Sequence, residues 1–288
     1  MTFTVAGGDT RFAMLCGILA GDGHEVRAFA LDHAELPPAV KRTGSAAEAA
    51  EGCGCLILPL PVSRFGDVLN ASLADDTHLV SELINCVPSD CLVCGGLPGE
   101  TVLSHCRSKG LACADYFQRE ELTAVNAVAT AEGAISVLMA ETPMTLWQSR
   151  ILVTGFGRIG RLLAHKLESL GAKVTVSARS CGDMAWIRAW GWDVLDTRAL
   201  KGHLGHFDII VNTVPAPVLD AELLSELKSG VLCLDLASRP GGIDLEAAGR
   251  LGVRTVWALG LPGEAAPLTA GAAIKDAVYN ILKEQGRL

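Results

Sequence analysis

The run Ile151-Leu152-Val153-Thr154-Gly155-Phe156-Gly157-Arg158-Ile159-Gly160-Arg161 constrains this chain more than any other stretch. Four residues suited to a buried strand lead into Gly155-x-Gly157-x-x-Gly160. Leu162, Leu163 and Leu167 then open an amphipathic helix. A strand, a glycine turn and a helix in this order form a dinucleotide pyrophosphate site. Gly155 allows the tight turn, Gly157 lets a phosphate approach the backbone, and Gly160 lets the helix close on the strand. The helix N-terminus offers free N–H groups and a partial positive charge to the anion. The loop residues Phe156, Arg158 and Ile159 belong to the same binding turn. A second strand, Lys173–Ser177, arrives at the expected distance.

The rest of the chain repeats a βα rhythm on both sides of this unit. With 288 residues, half of them hydrophobic, it has room for two domains with sheets buried on both faces. Residues 1–116 read as a flavodoxin-like domain of five short strands. Residues 117–142 form a long linking helix, apolar on most of its surface and therefore expected to be buried. Residues 150–265 form a second domain with six strands in doubly wound order. A terminal helix, 270–286, is expected to complete the first domain. The fold class is thus α/β, with two Rossmann-like parallel sheets joined by long helices and a cleft between them.

The net charge of −8, with no basic tract, argues against nucleic acid as a partner. The N-terminus reads as a strand, and the apolar run 12–20 is too short to span a bilayer, so a cytoplasmic protein without a membrane partner is expected. The ten cysteines include Cys53-x-Cys55 and Cys91-x-x-Cys94. Strand alternation turns Cys91 and Cys94 to opposite faces. No second ligand pair lies at zinc-finger spacing, so no metal is expected, and cysteine serves as a small apolar residue in a reducing compartment.

Readers of NAD usually carry an acid at the end of the second strand, to bind the ribose 2′-OH. Here that place reads Ser177-Ala178-Arg179-Ser180, and no acid follows before Asp183. A fixed guanidinium beside serine hydroxyls suits a 2′-phosphate, which favours NADP; the alternative for Arg179 is a solvated surface arginine. Loops leaving the carboxyl edge further on carry Thr213, Val214 and Pro215, then Ala237 and Ser238, where the nicotinamide would lie. The alternatives are turn chemistry for Val214 and Pro215, and a structural carboxylate at a strand end for Asp235.

Gly7-Gly8-Asp9-x-Arg11 opens the chain, the glycine turn stands in its middle, and Leu261-Pro262-Gly263-x-x-Ala266-Pro267-x-Thr269-Ala270-Gly271 follows near its end. With these three motifs in this order, the chain resembles the family of dipicolinate synthase A subunits throughout its length. Its two-domain plan is also similar to the wider group of 2-hydroxy-acid dehydrogenases, alanine dehydrogenase and adenosylhomocysteinase. The resemblance implies NADP-dependent oxidation of dihydrodipicolinate to dipicolinate in the mother cell of a sporulating bacterium. It also implies a partner, the flavoprotein-like B subunit of dipicolinate synthase. A homo-oligomer is expected as well. A dicarboxylate substrate needs anchoring, which makes Arg11, Arg64 and Arg239 candidate clamps, with Gly8, Ser63 and Ser238 beside them; plain surface charge is the other reading of the arginines. Asp9 is either a proton acceptor or the N-cap of the first helix. Thr269 either helps bind the cofactor at a helix N-terminus or simply caps that helix. Another two-domain dehydrogenase of amino or hydroxy acids, or a nucleotide-binding protein without catalysis of its own, is the alternative function.

Overall fold

Parallel strands feed both sheets. The computed structural model describes residues 1–288, and the chain divides into two units, 1–126 with 262–288, and 127–261. In the first unit the elements are β1 (Thr2–Ala6), α1 (Thr10–Gly21), β2 (Glu25–Phe29), β3 (Val40–Thr43), α2 (Ala46–Ala50), β4 (Cys55–Ile57), β5 (Ser63–Phe65), β6 (Val68–Leu69), α3 (Val80–Cys86), β7 (Leu92–Gly95), α4 (Gly99–Ser108) and β8 (Ala112–Asp115). The unit boundary falls inside α5 (Glu120–Glu141). The second unit continues with β9 (Arg150–Thr154), α6 (Arg158–Ser169), β10 (Lys173–Ala178), α7 (Cys181–Ala189), β11 (Asp193–Asp196), β12 (Ile209–Asn212), α8 (Ala221–Ser225), β13 (Leu232–Asp235), α9 (Leu245–Leu251) and β14 (Arg254–Trp257). Then come the short α10 (Leu261–Ala265) and α11 (Pro267–Glu284).

The strand orders are β3-β2-β1-β4-β7-β8 and β11-β10-β9-β12-β13-β14. Within each unit this is one permutation, 3-2-1-4-5-6, the doubly wound order. The first sheet therefore has six strands, which corrects the five-stranded, flavodoxin-like expectation. The missed strand is β3, Val40-Lys41-Arg42-Thr43. It lies at the sheet edge with Lys41 and Arg42 exposed, so it lacks the apolar run that marks a central strand. A small hairpin, β5–β6, stands apart from the main sheet.

Alternation along each strand sorts side chains into two cores. In the first sheet, Phe3, Val5 and Ile57 meet Phe12, Leu15, Ile274 and Val278 of α1 and α11. On the other face, Leu56 and Leu58 meet Leu83 and Ile84 of α3. Cys94 belongs to the first of these cores and Cys91 to the second. The thiols form two buried pairs on opposite faces, Cys55–Cys94 at 4.0 Å and Cys53–Cys91 at 3.8 Å. In the second sheet, Ile151, Val153 and Val211 pack on α5 and α6 through Ala134, Leu138 and Leu163. Leu152, Ile210 and Cys233 face α8 and α9.

Helix α5 is the one helix long and apolar enough to cross a membrane by length and composition. Leu122 packs in the first unit's core, and Ala131, Ala134 and Leu138 pack in the second's. The expectation of burial on all sides is corrected on one face. There Ile135 and Met139 line an open groove of about 630 Å³ with Lys166 and Leu170, and Met139 is 54% exposed.

Close approach of α1 and α11 depends on Gly271. A Cβ at this position would stand 2.7 Å from the Arg11 carbonyl oxygen and 3.2 Å from the Leu15 amide nitrogen. Backbone cannot yield as a flexible side chain does. Gly→Ala inside a helix ordinarily gains about 0.5–1 kcal/mol. Here the sign reverses, and Gly271→Ala is expected to cost about 1–3 kcal/mol through overpacking. Urea titration followed by circular dichroism measures this; a stabilised variant would show that the helix pair has room.

Candidate functional site

The glycine turn has the geometry that its sequence requires. Gly155 sits at φ +98°, and a Cβ there would meet Thr213 Oγ1 at 2.4 Å. A Cβ on Gly160 would stand 2.2 Å from the Gly155 carbonyl oxygen. Gly157 is exposed, and nothing lies within 4 Å of where its Cβ would be. Gly157 is also the N-cap of α6, and no side chain caps the helix. A helix start without a side-chain cap, open at a glycine, is the form that an anion-binding helix N-terminus takes.

Phe156 offers this loop its backbone only, because its ring is 5% exposed and packed into the core. Trp190 lies 5.3 Å from the ring, and the Arg161 guanidinium stands 4.6 Å from its centroid. Arg161 also donates to the Phe156 carbonyl at 2.8 Å and to Asp183 at 3.2 Å. One arginine therefore ties the glycine loop to α7. Ile159 is half-buried against the same core, and Arg158 is exposed.

At the end of β10 the predicted residues separate. Ser177 is fully buried, and its hydroxyl accepts from Thr197 Oγ1 at 3.0 Å. Ser180 caps α7, accepting from the Asp183 amide at 3.0 Å and donating to its carboxylate at 2.8 Å. Ser177 is a correction, since its hydroxyl has no route to a ligand; Ser180 is taken up by its cap. Ala178 is buried, and Arg179 is exposed without an ion pair. The strand end itself carries no acid, and the fold brings one beside it from the next strand. β11 pairs with β10 so that Asp196 stands opposite Ala178. Asp196 is held by Arg198 through Nε at 3.0 Å and Nη2 at 2.7 Å. Those hydrogen bonds hold the Asp196 carboxyl well down, at about 2. The doubly wound order was the signal that could have found this pair, because it sets the third strand's end beside the second's.

Three neighbouring strands end in one row of polar side chains. Thr154, Asn212 and Asp235 close β9, β12 and β13 in register, and all three are buried. Thr154 donates to Asn212 Oδ1 at 2.6 Å, and Asn212 Nδ2 donates to Asp235 Oδ1 at 2.8 Å. Asp235 then accepts the amides of Ala237, Gly242 and Ile243 at 3.0, 2.7 and 3.2 Å. Asn212 also bonds both the amide and the carbonyl of Val214, and Thr213 donates its hydroxyl to the Thr154 carbonyl at 2.9 Å. The chain of hydrogen bonds thus fixes the loop carrying Thr213, Val214 and Pro215 and the loop carrying Ala237, Ser238 and Arg239. Of these, Pro215, Ser238 and Arg239 are exposed. The Arg239 guanidinium stands 5.9 Å from the Trp257 ring centroid.

In the first unit, Gly7 and Gly8 take positive φ between β1 and α1. A Cβ on Gly8 would stand 2.2 Å from the Phe12 ring. The Gly8 amide donates to the Asn70 carbonyl at 2.8 Å, so it is not free for a substrate. Asp9 is the N-cap of α1, accepting from the Arg11 amide at 3.1 Å. The same carboxylate takes the Arg11 guanidinium in a fork, Nε at 2.9 Å and Nη2 at 2.7 Å. Arg11 is 7% exposed, so it is not plain surface charge; its Nη1 has no protein partner. Ser63 accepts from the Phe65 amide at 3.1 Å, and Arg64 is exposed on the hairpin. Thr269 is not the N-cap of α11, a place that Ala266 takes. It lies in the first turn of α11, after Pro267, and belongs to the first unit.

Two six-stranded doubly wound sheets, one with an open glycine turn, define a protein of the Rossmann-type two-domain fold. Residues 2–117 match the family model for the N-terminal domain of the dipicolinate synthase A subunit. The A subunit of dipicolinate synthase from Bacillus subtilis (strain 168) is 32% identical over 233 residues, covering 80% of this chain and 77% of that protein. The crystal structure of the corresponding protein from Bacillus halodurans superposes with a TM-score of 0.88 at 26% identity, over 98% of this chain and 97% of that one. The crystal structure of the Bacillus subtilis protein gives 0.85 at 28%, over 99% and 96%. This chain belongs to the family of dipicolinate synthase A subunits.

Asp235→Asn tests the polar row. An amide keeps one acceptor and places an NH₂ against two backbone donors. The variant is expected to lose about 1–3 kcal/mol of stability, the cost of buried donors left unsatisfied. Urea titration followed by tryptophan fluorescence reads this directly, because all five tryptophans lie between residues 147 and 257. Wild-type stability would mean that the loops hold without the carboxylate.

Proposed function

We propose that this chain is an NADP-dependent oxidoreductase that converts dihydrodipicolinate to dipicolinate, working beside a second, flavoprotein-like protein. The observation that carries the reading is the glycine turn. Gly157 lies open above the uncapped start of α6, in a chain of the dipicolinate synthase family. The relatives are named as one lettered component of a synthase, which supports a partner of a different kind.

The residues present fit a dinucleotide. Gly155, Gly157 and Gly160 leave room for the pyrophosphate, and the α6 N-terminus supplies N–H donors. Thr213, Val214 and Pro215 would line the nicotinamide side, on a loop that Asn212 holds in place. Ala237 and Ser238 would reach its amide. The cofactor, when bound, supplies the acceptor for a hydride. The protein's own part is to hold the substrate and to take up a proton. Arg11 is oriented by Asp9 and keeps Nη1 for a substrate carboxylate. Arg64, exposed on the hairpin, is a second anchor of the same sign. Asp9 is the proton acceptor of this scheme. Aromatisation of the product ring supplies driving force, so the demand on a general base is small.

The purified chain, given dihydrodipicolinate and NADP⁺, is expected to form product with aromatic ultraviolet absorbance. Nucleotide binding without turnover, relieved by adding the partner, would place the chemistry in the partner instead; no nucleotide binding would sink the reading. Arg179→Ala is expected to weaken NADP⁺ about tenfold or more and to leave NAD⁺ nearly unchanged, as loss of a charge-assisted contact to a 2′-phosphate requires. Titration of both nucleotides measures it, and equal weakening would reject that role. Arg11→Ala is expected to raise the KM for substrate about tenfold or more with little change in the NADP⁺ Kd; unchanged kinetics would remove Arg11 from the site.

A further inference from the structure

The geometry points to Arg198 as a second determinant of cofactor choice, a guanidinium that forms, with Arg179, the seat of the NADP 2′-phosphate. The inference rests on the NADP reading above and names the group that completes it. Arg198 comes from a different strand, and the fold carries it to the corner where Arg179 stands. Asp196 is in register with Ala178, the last residue of β10. The next residue, Thr197, is bonded twice to that strand end. Its amide donates to the Ala178 carbonyl at 3.0 Å, and its hydroxyl donates to Ser177 at 3.0 Å. Residues 196 and 197 are thereby fixed beside residues 177 and 178, and Arg198 follows at once.

The Asp196 carboxylate decides which nucleotide this corner can read. An acid beside the second strand's end is the feature that binds a ribose 2′-OH in NAD readers. Here the acid is occupied by its own neighbour. It accepts the Arg198 amide at 2.9 Å, Nε at 3.0 Å and Nη2 at 2.7 Å. Both carboxylate oxygens therefore face arginine, and the charges of Asp196 and Arg198 cancel. Arg179, without an ion pair, leaves the corner with a net positive charge. Arg198 Nη1 makes no hydrogen bond to protein, and its side chain is 63% exposed. A fork held on one side by a carboxylate is oriented on the other, so an oxyanion meets a donor that needs little ordering. Two guanidinium groups on one corner suit a phosphate that is close to doubly charged at neutral pH. They offer nothing comparable to a neutral hydroxyl.

The test uses the full chain and four probes: NADP⁺, NAD⁺, 2′,5′-ADP and 5′-AMP, each titrated calorimetrically. Arg198→Ala is expected to weaken NADP⁺ and 2′,5′-ADP about tenfold or more and to leave NAD⁺ and 5′-AMP within about twofold of wild type. Asp196→Asn keeps the guanidinium and removes the charge that offsets it, so it should not weaken the two 2′-phosphorylated probes as Arg198→Ala does. If Arg198→Ala affects all four probes equally, or none, the assignment is overturned. If Asp196→Asn weakens NAD⁺ and spares NADP⁺, Asp196 is a ribose acid and the assignment is again overturned. Wild-type protein that binds none of the probes removes the nucleotide reading itself. Wild-type protein that binds 5′-AMP as tightly as 2′,5′-ADP removes only the 2′-phosphate seat. Arg198 is exposed, so the variant is expected to fold; matching circular dichroism spectra would establish that before titration.

Discussion

The second unit depends on one buried carboxylate. Asp235 is 1% exposed and accepts four N–H groups, three from backbone and one from Asn212. A buried charge is tolerated only where donors replace the water it gave up. Those donors belong to the two loops that leave the carboxyl edge of the sheet after β12 and β13. Loops are ordinarily the mobile part of a doubly wound domain. Here the cost of leaving any of these groups unpaired holds them in one arrangement. The glycine turn shares in it, because Thr213, whose hydroxyl lies where a Gly155 side chain would be, is fixed by the same strand ends.

The first unit repeats the strand order but ends its strands differently. Its first turn carries two glycines at positive φ, Gly7 and Gly8, followed by an aspartate that caps the helix and grips an arginine. The same kind of strand–turn–helix therefore presents a guanidinium in one unit and a helix start without a side-chain cap in the other. The return of residues 262–288 to the first unit adds a second support. Thr10 donates to the Gly263 carbonyl at 2.6 Å, and α11 packs along α1 through Gly271. The late Pro-Gly-x-x-Ala-Pro-x-Thr-Ala-Gly run is in this sense part of the first turn, although some 250 residues separate them.

Much of this was legible along the sequence. The βα rhythm, the glycine spacing and the apolar strands gave the class and the second sheet's six strands, because those features are local and period-based. Cys91 and Cys94 were separable by alternation alone. Edge strand β3 escaped because Lys41 and Arg42 are solvated and carry no apolar signal. The open face of α5 escaped because composition reports how apolar a helix is and not how much of it is covered. Ser177 looked like a ligand by its place in the chain, but its hydroxyl turns inward to Thr197.

What the sequence determined by itself was the chemistry available: a glycine turn able to approach a phosphate, an arginine at a strand end, an aspartate two residues before an arginine. These are properties of residue type and spacing, and spacing along a backbone is fixed before folding. What the tertiary structure decided was pairing. Asp196 reaches Ala178, Asn212 reaches Asp235, and Gly263 reaches Thr10 only because parallel strands and returning helices bring distant segments into contact. Hydrogen bonds act over about 3 Å, so which polar groups remain free for a ligand is settled only when the strands take their order.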